Sequence, residues 1–323
     1  MDNIAVLRCD ASNQIGLGHI FRCLVLADQL KSAGYNVTFV SDKKNKGYLA
    51  KIPIKNFPVL IIDTQYNYKS EMNDIIDNEL VRLLVIDVKH NFPIEVIDEC
   101  RKKNIVTIAL DNKSKFSEKC DICFFPPHAC FQYENYIGKI YQGLEYVLLR
   151  NEFIFPQRLF KKQPDKIDNV FLMPGGTDPG KLCTKLINLL LQNYGHKIKI
   201  HALRSQVEQK KIRFFVDKKN VFLHEEIFDM PYFLQRIDYS IITFGMAAYE
   251  MLVMGIPATH ICRNAEDIEA SKWFQEKGYA RSVSTSEINK VNLIDTSSKI
   301  GKRVSYKPEV IRVIEEHMKR NLN

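Results

Sequence analysis

The stretch Ile4-Ala5-Val6-Leu7-Arg8-Cys9-Asp10-Ala11-Ser12-Asn13-Gln14-Ile15-Gly16-Leu17-Gly18-His19-Ile20-Phe21-Arg22 runs from an apolar tetrad through a polar, glycine-containing loop into residues with helical spacing up to Ala33. A short apolar run closed by a turn and followed by an amphipathic segment reads as a strand feeding a helix. The unit recurs. Val37–Val40, Val59–Ile62, Leu83–Ile86 and Ile105–Leu110 are further short apolar runs, and the last three end at Asp63-Thr64, Asp87-Val88-Lys89 and Asp111-Asn112-Lys113. Continuous apolarity suits strands buried on both faces, so the rhythm predicts a parallel sheet covered by helices. Acidic side chains then gather at the carboxyl ends of the strands, where open α/β sheets bind ligands.

Past Arg150 the character changes. Residues 151–169 carry Pro-interrupted polar stretches and the pair Lys161-Lys162, and read as a linker. A second series follows, with strands at Val170–Met173, Ile198–Leu203, Val221–His224, Tyr239–Thr243 and Ala258–Ile261 and a helix over Lys181–Asn193. A chain of 323 residues suits two domains at about 150 residues each. The expected architecture is α/β, two doubly wound, Rossmann-like domains facing a cleft. Residues 1–155 form an N-terminal sugar and catalytic domain, and 156–305 a C-terminal nucleotide-binding domain. Val310, Ile311, Ile314 and Met318 have helical spacing, so 306–323 forms a C-terminal helix able to pack back across the domains.

The formal charge of +8 comes from 46 Lys and Arg against 38 Asp and Glu scattered among them. The densest clusters, such as Lys43-Lys44 and Lys210-Lys211, read as solvated faces, so no nucleic-acid partner is expected, although a mild positive field favours a diphosphate substrate. No run approaches the ~18 apolar residues of a membrane span, and the N-terminus has no apolar leader. The eight cysteines are irregularly spaced, as reduced thiols are. A cytoplasmic protein, monomeric or weakly homo-oligomeric, is expected.

Three loops carry the candidate chemistry. In the first, Gly16 and Gly18 permit a tight turn and close backbone approach, and His19 falls in the first helical turn beyond a strand end, with Arg22 one turn on. An imidazole there can take a proton from water or a hydroxyl. Phe21 breaks the GxGxxG pattern of dinucleotide sites. The second, Gly175-Gly176-Thr177-Asp178, offers backbone N–H groups and a hydroxyl to an anion, without the GxxxxGK[ST] pattern of a P-loop. The third, Phe244-Gly245-Met246-Ala247-Ala248-Tyr249-Glu250, leads a strand into a helix of small residues, with Glu250 about one turn in and able to accept from a ribose diol. Each loop taken alone is also compatible with plain turn or helix packing. Cys120, Cys123, His128 and Cys130 have the count of a zinc site, but Ile122-Cys123-Phe124-Phe125 reads as a buried strand and a metal-free core is the better reading.

These motifs together resemble the UDP-sugar hydrolases of pseudaminic acid biosynthesis and their spore-coat-polysaccharide relatives, which have a GT-B, MurG-like architecture. The resemblance spans roughly residues 3–285 and rests on Arg8 to Arg22, on Leu148-Leu149-Arg150-Asn151-Glu152-Phe153, on Gly175-Gly176-Thr177-Asp178 and on Glu250-Met251-Leu252-Val253-Met254-Gly255-Ile256-Pro257. It implies a metal-independent, cofactor-free hydrolase in which His19 activates the water that attacks the anomeric carbon with inversion. Diphosphate is then held at Gly176-Thr177 and Gly245-Met246-Ala247, with Phe244 alongside, and ribose at Glu250. His19, Asp10 and Lys89 are the catalytic candidates; Gly16, Gly18, Arg22, Gly175 and Glu266 join the binding set.

The chain departs from that family at two places. Asp87-Val88-Lys89 replaces an Asp-His-Tyr, and Glu266 falls where those enzymes have an Asn. Three activities stay open: release of a free amino or deoxy sugar, transfer of the sugar to an acceptor by a glycosyltransferase with the same site, and nucleotide-sugar binding without catalysis. A base in the first loop argues against the last.

Overall fold

The computed structural model describes residues 3–11, 17–46, 56–89, 92–154, 166–175, 181–295 and 304–321. The chain divides into two compact units, Met1–Arg150 with Lys307–Asn323, and Asn151–Tyr306. In unit 1, β1 (Ile4–Cys9) leads to α1 (Gly18–Ser32), β2 (Asn36–Asp42), β3 (Val59–Ile62), α2 (Tyr68–Ile76), β4 (Val81–Asp87), α3 (Ile94–Lys102), β5 (Val106–Leu110), β6 (Ile122–Phe125) and β7 (Lys139–Gln142). The strands form a sheet in the order β3-β2-β1-β4-β5-β6-β7, parallel throughout.

Its strands are apolar at successive positions because both faces are covered. Leu7, Val85 and Ile108 pack with Ile20, Leu26 and Leu30 of α1. Their neighbours Val6, Leu84 and Ile86 pack on the other side with Met72, Ile76, Val96 and Ile97 of α2 and α3. Burying each such aliphatic side chain contributes about 1.5–3 kcal/mol. β1 lies at the centre, with Leu7 beside Phe39 of β2 and Val85 of β4. Strand order therefore reverses between β1 and β4, and that switch point is where doubly wound sheets open a crevice at the carboxyl ends.

In unit 2, β8 (Asn169–Met173), α4 (Leu182–Tyr194), β9 (Lys199–Leu203), α5 (Gln209–Val216), β10 (Val221–His224), α6 (Met230–Leu234), β11 (Tyr239–Thr243), α7 (Met246–Met254), β12 (Ala258–Cys262), α8 (Ala265–Glu276) and β13 (Ala280–Ser284) repeat the pattern. The sheet order is β10-β9-β8-β11-β12-β13, again parallel, with the reversal between β8 and β11. The Asp238 carboxylate accepts from the Asp168 and Asn169 amides at 3.0 and 2.8 Å, which ties the start of β8 to that of β11. The final helix, α9 (Val310–Asn321), belongs to unit 1, where Val310, Val313, Ile314 and Met318 join the core on the α1 side. Most of the stretch read as a linker, residues 155–165, lies outside the described residues. Among the described residues no helix is long and apolar enough to cross a membrane.

Cys120 and Cys123 lie in the unit 1 core, where their thiols donate to the Phe116 and Ser117 carbonyls at 3.5 and 3.1 Å, while Cys130 is exposed. Burial pushes the Cys123 thiol up to about 12. Among the described residues no group of three His, Cys, Asp or Glu is placed to hold a metal ion.

Unit 2 carries a pH-sensitive pair. His201 Nδ1 lies 3.1 Å from His224 Nε2, with the rings stacked at 5.4 Å. Burial, reinforced by the His224 charge, lowers His201 from its ordinary 6.5 to about 4. The unfolded chain thus takes up this proton near pH 6.5 and the folded chain only near 4, so acidification across that interval favours unfolding. Urea midpoints of the wild type are expected to fall from pH 7 to pH 4.5, and less in His201→Gln; parallel profiles would remove the pair from the pH response.

Candidate active site

The loop after β1 and the start of α1 face the end of β4 because β1 and β4 are neighbours in the sheet. This brings together residues 68 apart in sequence: His19 Nδ1 lies 2.5 Å from Asp87 Oδ1. Arg22, three residues further along the helix, clamps the same carboxylate with Nε on Oδ2 and Nη2 on Oδ1, both at 2.5 Å. Its Nη1 also reaches Asp111 Oδ2 at 3.2 Å, and the Cys23 thiol donates to Asp87 Oδ2 at 3.4 Å. The Asp87 side chain is 1% exposed. Burial alone would raise its pKa, yet the charges of Arg22 and His19 hold it well below the usual carboxylate range. An ionised Asp87 accepts a hydrogen bond from the Nδ1–H of a neutral imidazole, and the tautomer this selects leaves the Nε2 lone pair free.

Asp111 follows β5 at φ 48°, a left-handed backbone that Asp tolerates better than most side chains. The turn is pinned by the Asp111 amide donating to the Phe124 carbonyl at 2.8 Å. Strain of this kind concentrates at functional sites, and here it sets the second carboxylate against Arg22.

Asp10 has a different environment. Arg8, 2% exposed, binds it bidentately at 2.7 and 2.8 Å and also donates to the Tyr68 hydroxyl at 3.0 Å. The carboxylate further accepts from Ser41 Oγ, the Asp42 amide and Asn45 Nδ2 at 3.1, 3.0 and 2.6 Å. The carboxylate that meets His19 is thus Asp87, whereas Asp10 joins β1 to the end of β2. Gly18 opens α1, half-buried, and Lys89 is exposed two residues beyond Asp87. Gly16 lies outside the described residues.

In unit 2 the loops after β8 and β11 touch. Gly175 has φ 99°, a left-handed backbone that favours glycine, and a Cβ there would crowd Thr243 Oγ1 at 3.2 Å. Gly176 and Thr177 lie outside the described residues. Gly245 precedes α7, half-buried Met246 and Ala247 form its first turn, and Glu250 is buried in its second. The Phe244 ring packs edge-on against His260 and Phe274, and its carbonyl accepts from Arg263 Nη2 at 3.4 Å. Arg263 in turn is held by Asp267 at 2.9 Å. Glu266 is exposed in the first turn of α8, beside the Asn264 side chain that caps the Asp267 amide at 2.8 Å. The sequence pattern does not by itself pair Asp87 and Asp111 with Arg22, nor place Arg263 at the β11–α7 loop. The acidic strand ends were the available signal for the first two.

Solved structures share this architecture at low sequence identity. A UDP-N-acetylglucosamine 2-epimerase superposes over 99% of this chain and 96% of its own with a TM-score of 0.58 at 12% identity. The glycosyltransferase VinC, solved in complex with dTDP, superposes over 98% and 90% with a TM-score of 0.57 at 10% identity. The chain has the GT-B fold. Sequence relatives of this GT-B chain include the UDP-2,4-diacetamido-2,4,6-trideoxy-beta-L-altropyranose hydrolase of Campylobacter jejuni, 27% identical over 85% of this chain and 97% of that protein. The spore coat polysaccharide biosynthesis protein SpsG of Bacillus subtilis is 21% identical over 86% and 83%. An uncharacterized protein of Methanocaldococcus jannaschii is 26% identical over 79% of this chain, which spans only 54% of that relative's length. No protein-family model matches the chain.

Proposed function

We propose that the chain hydrolyses a nucleotide sugar, releasing a free amino or deoxy sugar from UDP by inverting cleavage of the C1–O bond, in nonulosonic acid or surface-glycan biosynthesis. The observation that carries this reading is the His19–Asp87 pair at the switch point of unit 1. His19 Nε2 takes a proton from water as the water oxygen bonds to the anomeric carbon. The C1–O bond breaks on the opposite face and its electron pair leaves with UDP. Asp87 steadies the imidazolium that forms, and Arg22 keeps Asp87 ionised and oriented. Unit 2 holds the nucleotide, with diphosphate at the loops around Gly175 and Gly245 and ribose at Glu250. The N–H groups opening α7 offset charge developing on the leaving oxygen, so the chemistry needs no metal in principle.

The names of the Campylobacter and Bacillus relatives support a role in UDP-sugar hydrolysis or spore-coat-type polysaccharide synthesis. The second reading is a glycosyltransferase, favoured by the fold shared with VinC, in which His19 deprotonates an acceptor hydroxyl instead of water. Incubating the protein with UDP- and CMP-sugars in EDTA, with and without acceptors, separates them. Nucleotide release without acceptor supports hydrolysis, release only with acceptor supports transfer, and no release from any donor overturns both.

The nucleotide half has its own test. Glu250→Ala is expected to weaken free UDP by roughly ten- to a hundredfold through loss of charge-assisted hydrogen bonds to the ribose diol, and Glu250→Gln by less. Unchanged UDP affinity by calorimetry in a folded Ala variant would move the nucleotide site off α7.

A further inference from the structure

The net charge of the chain is concentrated. Residues 197–219 hold eight Lys or Arg against Glu208 and Asp217, a net +6 of the total +8. Arg204 is bound by Glu225 at 2.6 Å and Lys210 lies 3.5 Å from Glu208, so the unneutralised charge falls on the remaining cations of α5 and of the turns at the amino-terminal ends of β9 and β10. Those two turns are held side by side by Asn220, whose Nδ2 donates to the Gly195 and Ile198 carbonyls at 2.9 Å. Lys197, Lys199, Lys211, Arg213 and Lys219 are all exposed. β10 is an edge strand, so the patch lies on the outer margin of unit 2; the turns carrying Lys197, Lys199, Lys218 and Lys219 are at the end of the sheet opposite the glycine loops, and α5 runs towards that end from the carboxyl side.

Apolar groups are exposed within the same patch. Helix α5 buries Ile212 and Phe215 but leaves Phe214 48% exposed, and Val216 at its end is 57% exposed. The Lys218 and Lys211 ammonium groups lie over the Phe214 ring at 4.6 and 5.8 Å from its centroid. A phenylalanine with cations over its ring is a poor stacking platform for a nucleobase, whereas its exposed part, flanked by Lys211 and Lys218, suits shallow insertion among phospholipid headgroups.

We propose that α5 and the turn after it form a docking surface for an anionic phospholipid bilayer. Lysines supply the long-range attraction, and Phe214 the contact at the headgroup level.

Co-sedimentation of the full chain with vesicles of phosphatidylcholine alone, or mixed with phosphatidylglycerol, tests this. Binding is expected only to the mixed vesicles and is expected to fall as salt rises. Lys211→Glu/Lys218→Glu should lower the partition coefficient by about tenfold or more, and Phe214→Ser by a smaller factor without changing the salt slope. Lys102→Glu/Lys103→Glu, the same charge change at the end of α3 of unit 1, should bind as wild type does. Circular dichroism checks that each variant folds. Equal binding to both vesicle types, no binding to either, or equal losses in the α3 and α5 variants would overturn the proposal. So would capture of a single-stranded oligonucleotide that depends on Lys211 and Lys218 while vesicles are ignored.

Discussion

His19→Ala is expected to lower turnover of the nucleotide sugar by about 10²–10⁴-fold, the range lost with a general base, while UDP affinity stays within a few-fold. Asp87→Asn should cost a similar factor for a different reason. The amide keeps the shape of the carboxylate, but it neither stabilises an imidazolium nor fixes the proton on Nδ1, so the productive tautomer is no longer selected. Because Asp87 acts through His19, the losses should not multiply: His19→Ala/Asp87→Asn is expected to be no slower than His19→Ala. Arg22 makes two hydrogen bonds to this carboxylate, so Asp87→Asn should also destabilise the fold, and rates belong at a temperature where each variant keeps its circular dichroism spectrum. Near wild-type turnover in His19→Ala would remove the imidazole from the reaction. A multiplicative loss in the double variant would break the link between the two side chains.

The central strands were readable because strands covered on both faces are apolar at most successive positions. β1, β4, β5, β8 and β11 are covered on both faces, and their runs of Val, Ile and Leu stand out against the loops that end them. The strands that escaped notice are β7, Lys-Ile-Tyr-Gln, and β13, Ala-Arg-Ser-Val-Ser, which close one edge of each sheet and carry half-exposed side chains. An edge strand has no need of a continuous apolar run, so periodicity passes over it. The site divides in the same way. His19 was legible because local signals, a strand, two glycines and a helix start, place it. Its partner Asp87 was not, because the pairing depends on β4 crossing back to lie beside β1, a fact of topology with no local trace. The left-handed turn at Asp111 and the contact between Gly175 and Thr243 are likewise set by neighbouring strands.

The motif places Asp10 among the catalytic candidates, yet its contacts predict a different phenotype from that of His19. Asp10→Ala removes at once the partner of a buried guanidinium and the acceptor for Ser41, the Asp42 amide and Asn45. Breaking a buried ion pair from one side costs about 3–5 kcal/mol, because the stranded charge keeps its desolvation penalty. The melting temperature of unit 1 should then drop by on the order of 10 °C. Asp10→Asn keeps one acceptor oxygen in place and should lose less, though Arg8 still loses its counter-charge. Burial pushes the Asp10 carboxyl up, but Arg8, the Asp42 amide and Ser41 together draw it below its ordinary pKa, so its contribution fades as pH falls through the carboxylate range. Well below its melting temperature, Asp10→Asn is expected to retain turnover within about tenfold of wild type, in contrast to the loss in His19→Ala. A folded Asp10→Asn as inactive as His19→Ala would return this carboxylate to the reaction, and an unchanged melting temperature in Asp10→Ala would show that the Arg8 cluster does not hold β1 to the end of β2.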